Sequence, residues 1–307
     1  MAEENTTDAP LSAEKTPEAE NPWAALGFRP GMILRSFGMR RSGNHAIINW
    51  LTRNPPAEGV VFLNNCGARR SPFTSCSSIE VNGEYRKLKR RATLPSITGD
   101  VADGGLLVIS YEDVMPSARD SERALSAEMP KGAEISDLIF FRHFMNWAAS
   151  MLRKLQANKD YGFATRMRIM SVAVEKYRDS LELVLNAAER DIVPVCYDTW
   201  LKSDPYRSGV LKALGLPQKD NTLGKVQPYG GGSSFQKRAK TSEDLNTLDR
   251  WTQMISLPDY QMLLLLASQD QPLMELMQKT MPQDASMVQD FVAQARFPFD
   301  VKVGGNT

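Results

Sequence analysis

The chain has 307 residues, with 37 Lys and Arg against 36 Asp and Glu and a formal net charge of +1, so no global charge drives it toward nucleic acid or an anionic membrane. Its length allows one large α/β domain. Three cysteines (Cys66, Cys76, Cys196) and two histidines exclude a disulfide framework and a zinc pattern, and no apolar run beyond the short stretch 262–267 approaches the length of a membrane span.

In chain order, residues 1–24 are an acidic tail, with Glu3, Glu4, Asp8, Glu14, Glu18 and Glu20 against Lys15, and are expected to be disordered. The tail has neither a basic start nor an apolar core, so it is not read as a signal peptide and a cytoplasmic location is expected. Residues 25–295 read as one domain and 296–307 as a C-terminal tail. Strands are expected at 31–38, 58–63, 105–111, 136–141 and 191–197, and helices at 43–53, 144–157, 163–190, 206–214 and 242–280. That alternation predicts an α/β fold of three layers, a central, mostly parallel sheet flanked by helices. The segment 163–190 carries Met167, Met170, Val174, Tyr177, Leu181, Val184 and Leu185 at helical steps, a stripe facing the core.

The first strand runs into Gly38-Met-Arg40-Arg41-Ser42-Gly43-Asn44-His45 and then a helix. Small residues let successive N–H groups converge on one anion, and the helix dipole adds to them. Gly38 and Gly43 keep the spacing of a nucleotide-phosphate loop, but Asn44-His45 stand where Lys-[Ser/Thr] would meet the β/γ-phosphates and Mg²⁺. A phosphate-type anion is expected, without Mg-ATP and without a bound metal. Residues 64–100 interrupt the rhythm with Arg69-Arg70 and Arg86-Lys-Leu-Lys-Arg-Arg91, read either as a solvated loop or as a basic insertion attracting an anionic ligand. With Phe73 and Tyr85 the only interleaved aromatics, nucleic acid is not the expected partner. Farther on, a strand ends at Arg142, and the following helix carries Ser150, a pair suited to a phosphate lying outside the sheet.

The strand-Arg-Ser-Gly-helix unit, followed by strand-Arg-x₇-Ser-helix, resembles the sulfotransferases that use 3′-phosphoadenosine 5′-phosphosulfate (PAPS). The downstream segments Tyr197-Asp198-Thr-Trp200, Asp204-Pro205, Leu214-Gly215-Leu216-Pro217 and the Gly-rich basic stretch Tyr229 to Arg238 are similar to that family as well. The resemblance implies that the loop 40–45 (Arg40, Arg41, Ser42, Gly43, Asn44, His45) holds the 5′-phosphosulfate. Arg142 and Ser150 would hold the 3′-phosphate, and Ser234, Phe235, Lys237 and Arg238 would close the nucleotide pocket. It further implies sulfuryl transfer to a hydroxyl acceptor, and the basic insertion suits an anionic one such as a glycan, lipid headgroup or acidic metabolite. Arg41 stands where the family often has lysine; it can stabilise leaving-group charge but not donate its proton. The strand 105–111 lacks the histidine of the cytosolic class, leaving Glu112 as first candidate base and His45 as second, while His143 reads as a helix-start residue. Two rival readings stay open, a nucleotide-dependent phosphotransferase and a non-catalytic nucleotide-binding protein.

Overall fold

In a computed structural model, residues 23–87, 93–116, 134–224 and 248–294 are described. They build a three-layer α/β architecture around a seven-stranded, mostly parallel sheet of order β4-β3-β2-β5-β1-β6-β7. The strands are β1 (Met32–Gly38), β2 (Val60–Asn64), β3 (Ser78–Val81), β4 (Glu84–Arg86), β5 (Leu106–Glu112), β6 (Ile135–Phe141) and β7 (Ile192–Cys196). Strand β1 lies at the centre, paired in parallel with β5 on one side and β6 on the other. Five strands coincide with the predicted runs to within a residue or two.

Each of these strands is apolar on both faces, as a sheet covered on both sides requires. Ile33, Phe37, Val61, Leu107, Ile109 and Ile139 pack into one cluster, where Leu183 and Ala187 close over them. Leu34, Phe62, Val108, Leu138 and Val195 face the opposite layer. That layer contains α1 (Asn44–Thr52), and α6 (Tyr197–Lys202) and α7 (Asp204–Ala213) with Trp200 and Leu211. A third cluster is mostly helical. It joins α4 (Phe144–Gln156), α5 (Phe163–Leu185), α8 (Pro258–Gln269), α9 (Gln271–Thr280) and α10 (Pro282–Gln294).

Two expectations change. The segment 64–100 is not simply a solvated loop, because it holds two one-turn helices, α2 (Pro72–Ser75) and α3 (Pro95–Thr98), and the β3–β4 hairpin that extends the sheet edge in antiparallel sense. Asn82 (φ 51°) and Gly83 (φ 79°) make the tight turn of that hairpin, so Asn-Gly was the signal that could have found it. Of the basic run, 88–91 lie outside the described residues. The single helix expected over 242–280 is broken instead. A 3₁₀ turn, Arg250–Gln253, precedes α8, and α9 restarts where the Asp270 carboxylate accepts from the Leu273 N–H at 3.1 Å, ahead of the proline at its first turn. Along α5, Met170, Val174, Tyr177 and Leu181 are buried as the stripe requires, whereas Leu185 at the last turn is exposed. Residues 1–22 and 295–307, most of both predicted tails, fall outside the described residues.

Candidate active site

The parallel strands β1, β5 and β6 end together, and the loop after β1 turns there into α1. Arg41 takes a left-handed conformation (φ 74°), which costs a non-glycine residue about 1 kcal/mol or more, and such strain marks a loop held for a purpose. Gly43 (φ 85°) is the residue from which α1 starts. A Cβ there would come within 2.1 Å of the Tyr197 ring, so both conformation and space demand glycine. Helix α1 begins with no side-chain cap and no acidic residue in its first turn. Its first N–H groups, which no helix satisfies internally, are therefore presented at the strand ends with the positive pole of the dipole.

The side chains of the loop diverge. Arg40 turns outward, its side chain 60% exposed, and pairs with Asp113, so it does not join the anion site expected of it. The Asn44 amide folds back, donating to the Met39 carbonyl at 3.2 Å, and thus holds the loop closed instead of meeting a ligand. Ser42 is buried, its N–H bound to the same carbonyl. His45 reaches the end of β2, where its Nε2 lies 3.2 Å from Asn64 Oδ1. Because the Asn64 amide nitrogen donates to Ser78 Oγ, its oxygen faces His45 and Ser110, which sets Nε2 as the protonated nitrogen and Nδ1 as the one with the lone pair.

Arg41 turns inward, and with it begins the densest charge arrangement in the described chain. Its Nε donates to Ser150 Oγ at 3.2 Å, and Arg250 Nη1 donates to the same oxygen at 3.3 Å. Arg142, 1% exposed, follows β6, donates to the Arg41 carbonyl at 3.4 Å and stands over the Tyr197 ring at 5.2 Å. Two guanidinium groups thus meet on a hydroxyl that is itself 1% exposed, and the charge of Arg142 acts on both of them. The Asp198 carboxylate lies 3.6 Å from Arg142 Nε. Burial, then the neighbouring Arg142, lowers the Arg41 pKa, which the Glu112 carboxylate raises in part. Burial and the same neighbour push Arg250 down to about 9. Each cation makes the next one costlier, and an anion among them removes that cost.

Ser150 completes the arrangement. A hydroxyl accepts two hydrogen bonds and donates one, so with two arginines on its oxygen its proton is left to point at something else. Arg142 is tied to Ser150 through Arg41, whose carbonyl accepts from Arg142 and whose Nε donates to the Ser150 hydroxyl. Arg41 thereby links the loop to this second pole. Glu112 ends β5 in register with Gly38, close enough for its charge to act on Arg41.

Arg250 and Asp198 escaped the sequence reading. Arg250 reaches the site because Asn146, one turn before Ser150, accepts from its N–H at 3.1 Å and donates to the Leu248 carbonyl at 2.7 Å. Nothing in Leu248-Asp-Arg-Trp announces such a contact across a hundred residues. Asp198 belongs to the Tyr-Asp-x-Trp segment that was noticed, but its geometry was not. Its carboxylate accepts from the His143 N–H at 2.9 Å and steadies Arg142. Ser234, Phe235, Lys237 and Arg238 lie outside the described residues.

His143, as expected, starts a helix. Its Nδ1 lies 3.2 Å from Asp284 Oδ1, and hydrogen bonds to Asp284 and then Cys196 push its pKa up to about 10. The His143, Cys196 and Asp198 ligand atoms fall within 4.8 Å of one another. His143 Nδ1 is engaged by Asp284 and one Asp198 oxygen by the His143 N–H, and the adjoining Arg142 opposes a further cation, so the group reads first as an anchor for α4.

No protein-family model and no curated protein matches the sequence. Among solved structures the chain is similar to mouse sulfotransferase SULT7A1 complexed with PAP, at 11% identity and a TM-score of 0.46, over 90% of this chain and 94% of that one. A likeness at that level assigns no role to any residue. Among the described residues, no helix is long and apolar enough to cross a membrane.

Proposed function

We propose that the protein is a sulfotransferase that moves a sulfuryl group from PAPS to a hydroxyl acceptor in the cytosol. The observation that carries the reading is the cluster of Arg41 with the buried Arg142 and Arg250, two of its members donating to Ser150, adjoining an uncapped helix N-terminus. A nucleotide with phosphate groups at two positions needs two adjacent anion sites, and a trio this costly to bury suits a dianionic group better than a single carboxylate. Arg142, Ser150 and Arg250 take the 3′-phosphate. The backbone of 41–45 takes the 5′ end, and Arg41 lies between the two.

In the transfer the acceptor oxygen forms a bond to sulfur as the bond from sulfur to the 5′-phosphate oxygen breaks, and the hydroxyl proton passes to a base. Glu112 is assigned that role because it leaves the strand next to the loop and its carboxylate acts on Arg41. Arg41, still a cation at neutral pH, stabilises the charge that develops on the departing phosphate. His45, fixed by Asn64 with its lone pair on Nδ1, is the second assignment for the base.

The test is transfer of label from [³⁵S]PAPS, run beside [γ-³²P]ATP, over a panel of hydroxyl acceptors. Sulfur label in the acceptor, with none from ATP, is the expected result. Phosphate transfer alone would establish the phosphotransferase, and binding of PAPS with no transfer over a broad panel would favour a non-catalytic nucleotide-binding protein.

A further inference from the structure

Beside the loop, lined by Met39 and Arg40 and by none of the clustered arginines, lies a cavity of about 370 Å³ between α4 and α5. Its walls are Met39, Trp147, Met151, Ile169, Val172 and Ala173, an apolar surface continuous with the loop itself. Trp147 Nε1 donates to the Arg40 carbonyl at 3.1 Å, so cavity wall and loop are joined by a hydrogen bond. Around the apolar walls stand Arg40, Arg168 and Lys176 against a single carboxylate, Asp113. Asp113 is engaged by Arg40, and its carbonyl accepts from Lys176 Nζ at 3.2 Å. Among the described residues Arg168 has no ion-pair partner. Asp113 is also the residue immediately after Glu112, so the cavity reaches the chain beside the assigned base.

We propose that this cavity is the acceptor pocket and that it selects a hydroxylated amphipath with an apolar body and a carboxylate or other anionic group. The identification of the occupant as an acceptor rests on the sulfuryl-transfer reading above; the ligand chemistry of the pocket does not. An apolar wall desolvates the body of such a molecule, and a cationic excess at the rim rewards the anion while disfavouring amines and gaining nothing from neutral alcohols. Arg168 and Lys176, about two turns apart on α5, would hold the anionic end.

Three probes of one shape test it, 6-hydroxy-2-naphthoate, 2-naphthol and 6-(aminomethyl)-2-naphthol, each titrated calorimetrically into the full chain without nucleotide. The carboxylate should bind at least tenfold tighter than 2-naphthol, and the amine most weakly. Combining Arg168→Gln with Lys176→Gln should bring carboxylate and naphthol to within about twofold. Val172→Trp, a change at a half-exposed position that the fold can tolerate, should fill the cavity and weaken both ligands tenfold or more. Its melting temperature and its affinity for adenosine 3′,5′-bisphosphate serve as controls for folding and for the neighbouring site. Equal affinity for acid and alcohol, preference for the amine, or a Val172→Trp protein that binds all three as wild type does would overturn the proposal. If the wild type binds no bisphosphate, the sulfuryl-transfer reading fails by itself, and the acid selectivity still decides the pocket.

Discussion

Helices α1 and α4 both begin at the same edge of the sheet, after β1 and β6, and they are finished in opposite ways. At α4 the Asp198 carboxylate accepts from the His143 N–H and the Asp284 carboxylate from the Phe144 N–H, while Asp284 also holds the imidazole. At α1 no side chain caps the helix, no acid occupies the first turn, and among the described residues the arginines nearby outnumber the carboxylates. Arg142 and His143 are neighbours in sequence and Asp198 reaches both, yet the charge of Arg142 acts on two further arginines while His143 faces a second carboxylate, Asp284. A charge that the fold compensates anchors structure, and a charge that it leaves in excess is held for a ligand.

The largest effect should come from the transfer step. Glu112→Gln keeps the size and hydrogen bonding of the side chain but removes the proton acceptor. It should lower turnover on the order of a hundredfold while nucleotide affinity changes little, as steady-state kinetics and calorimetry together would report. His45→Asn should weaken nucleotide binding as well as rate. Full turnover in Glu112→Gln, with loss in His45→Asn at unchanged affinity, would exchange the two roles.

Next comes the arginine trio itself. If Arg142, Ser150 and Arg250 form a 3′-phosphate site, adenosine 3′,5′-bisphosphate should bind about ten- to a hundredfold tighter than adenosine 5′-monophosphate, the yield of one charge-assisted contact of roughly 1.5–3 kcal/mol. Arg142→Ala should erase most of that preference. Arg250→Met should erase it too, yet raise the melting temperature of the ligand-free protein, because it removes a buried charge repelled by two neighbouring arginines. A ligand-free Arg250→Met protein melting well below wild type would place Arg250 in the compensated class and undo the contrast.

Much of this was legible in the sequence, and what was missed has a common physical cause. Period and apolarity revealed β1, β2, β5, β6 and β7, and a glycine loop entering a helix revealed the bare end of α1, since each is a local pattern. The α4 anchor was half legible. His143 could be placed at a helix start, but Asp284 lies 141 residues on, and no local rule connects them. Arg250 and Asp198 are likewise defined by what the fold brings beside them. The outward turn of Arg40 toward Asp113 was equally out of reach, because adjacent arginines read alike until a left-handed residue between strand and helix sends their side chains to opposite sides.

The compensated end can be tested through pH. The His143 pKa is raised from 6.5 to about 10, so the imidazolium–Asp284 pair contributes fully below about pH 6.5, and its contribution is lost as pH climbs toward 10. Asp284→Asn should therefore destabilise the protein most at or below neutral pH, by roughly 1.5–3 kcal/mol for a hydrogen bond to a charged group. The gap from wild type should narrow steadily between pH 6.5 and 10 in denaturant titrations. A gap independent of pH would mean that Asp284 acts only as a cap for the Phe144 N–H.

The smallest effect is expected from chelation. Asn44 stands where a metal-nucleotide loop has its lysine and His45 where it has its hydroxyl, and the Asn44 amide is spent on the Met39 carbonyl. The loop thus keeps its backbone donors but lacks the oxygen that would hold Mg²⁺ beside a triphosphate. Cationic side chains supply the charge in its place, with Arg41 reaching from the loop to Ser150. EDTA should leave the rate of transfer nearly unchanged. A collapse in EDTA that Mg²⁺ restores would show that the excess charge at α1 is shared with a metal, and the two helix ends would then differ in what compensates them, not in whether they are compensated.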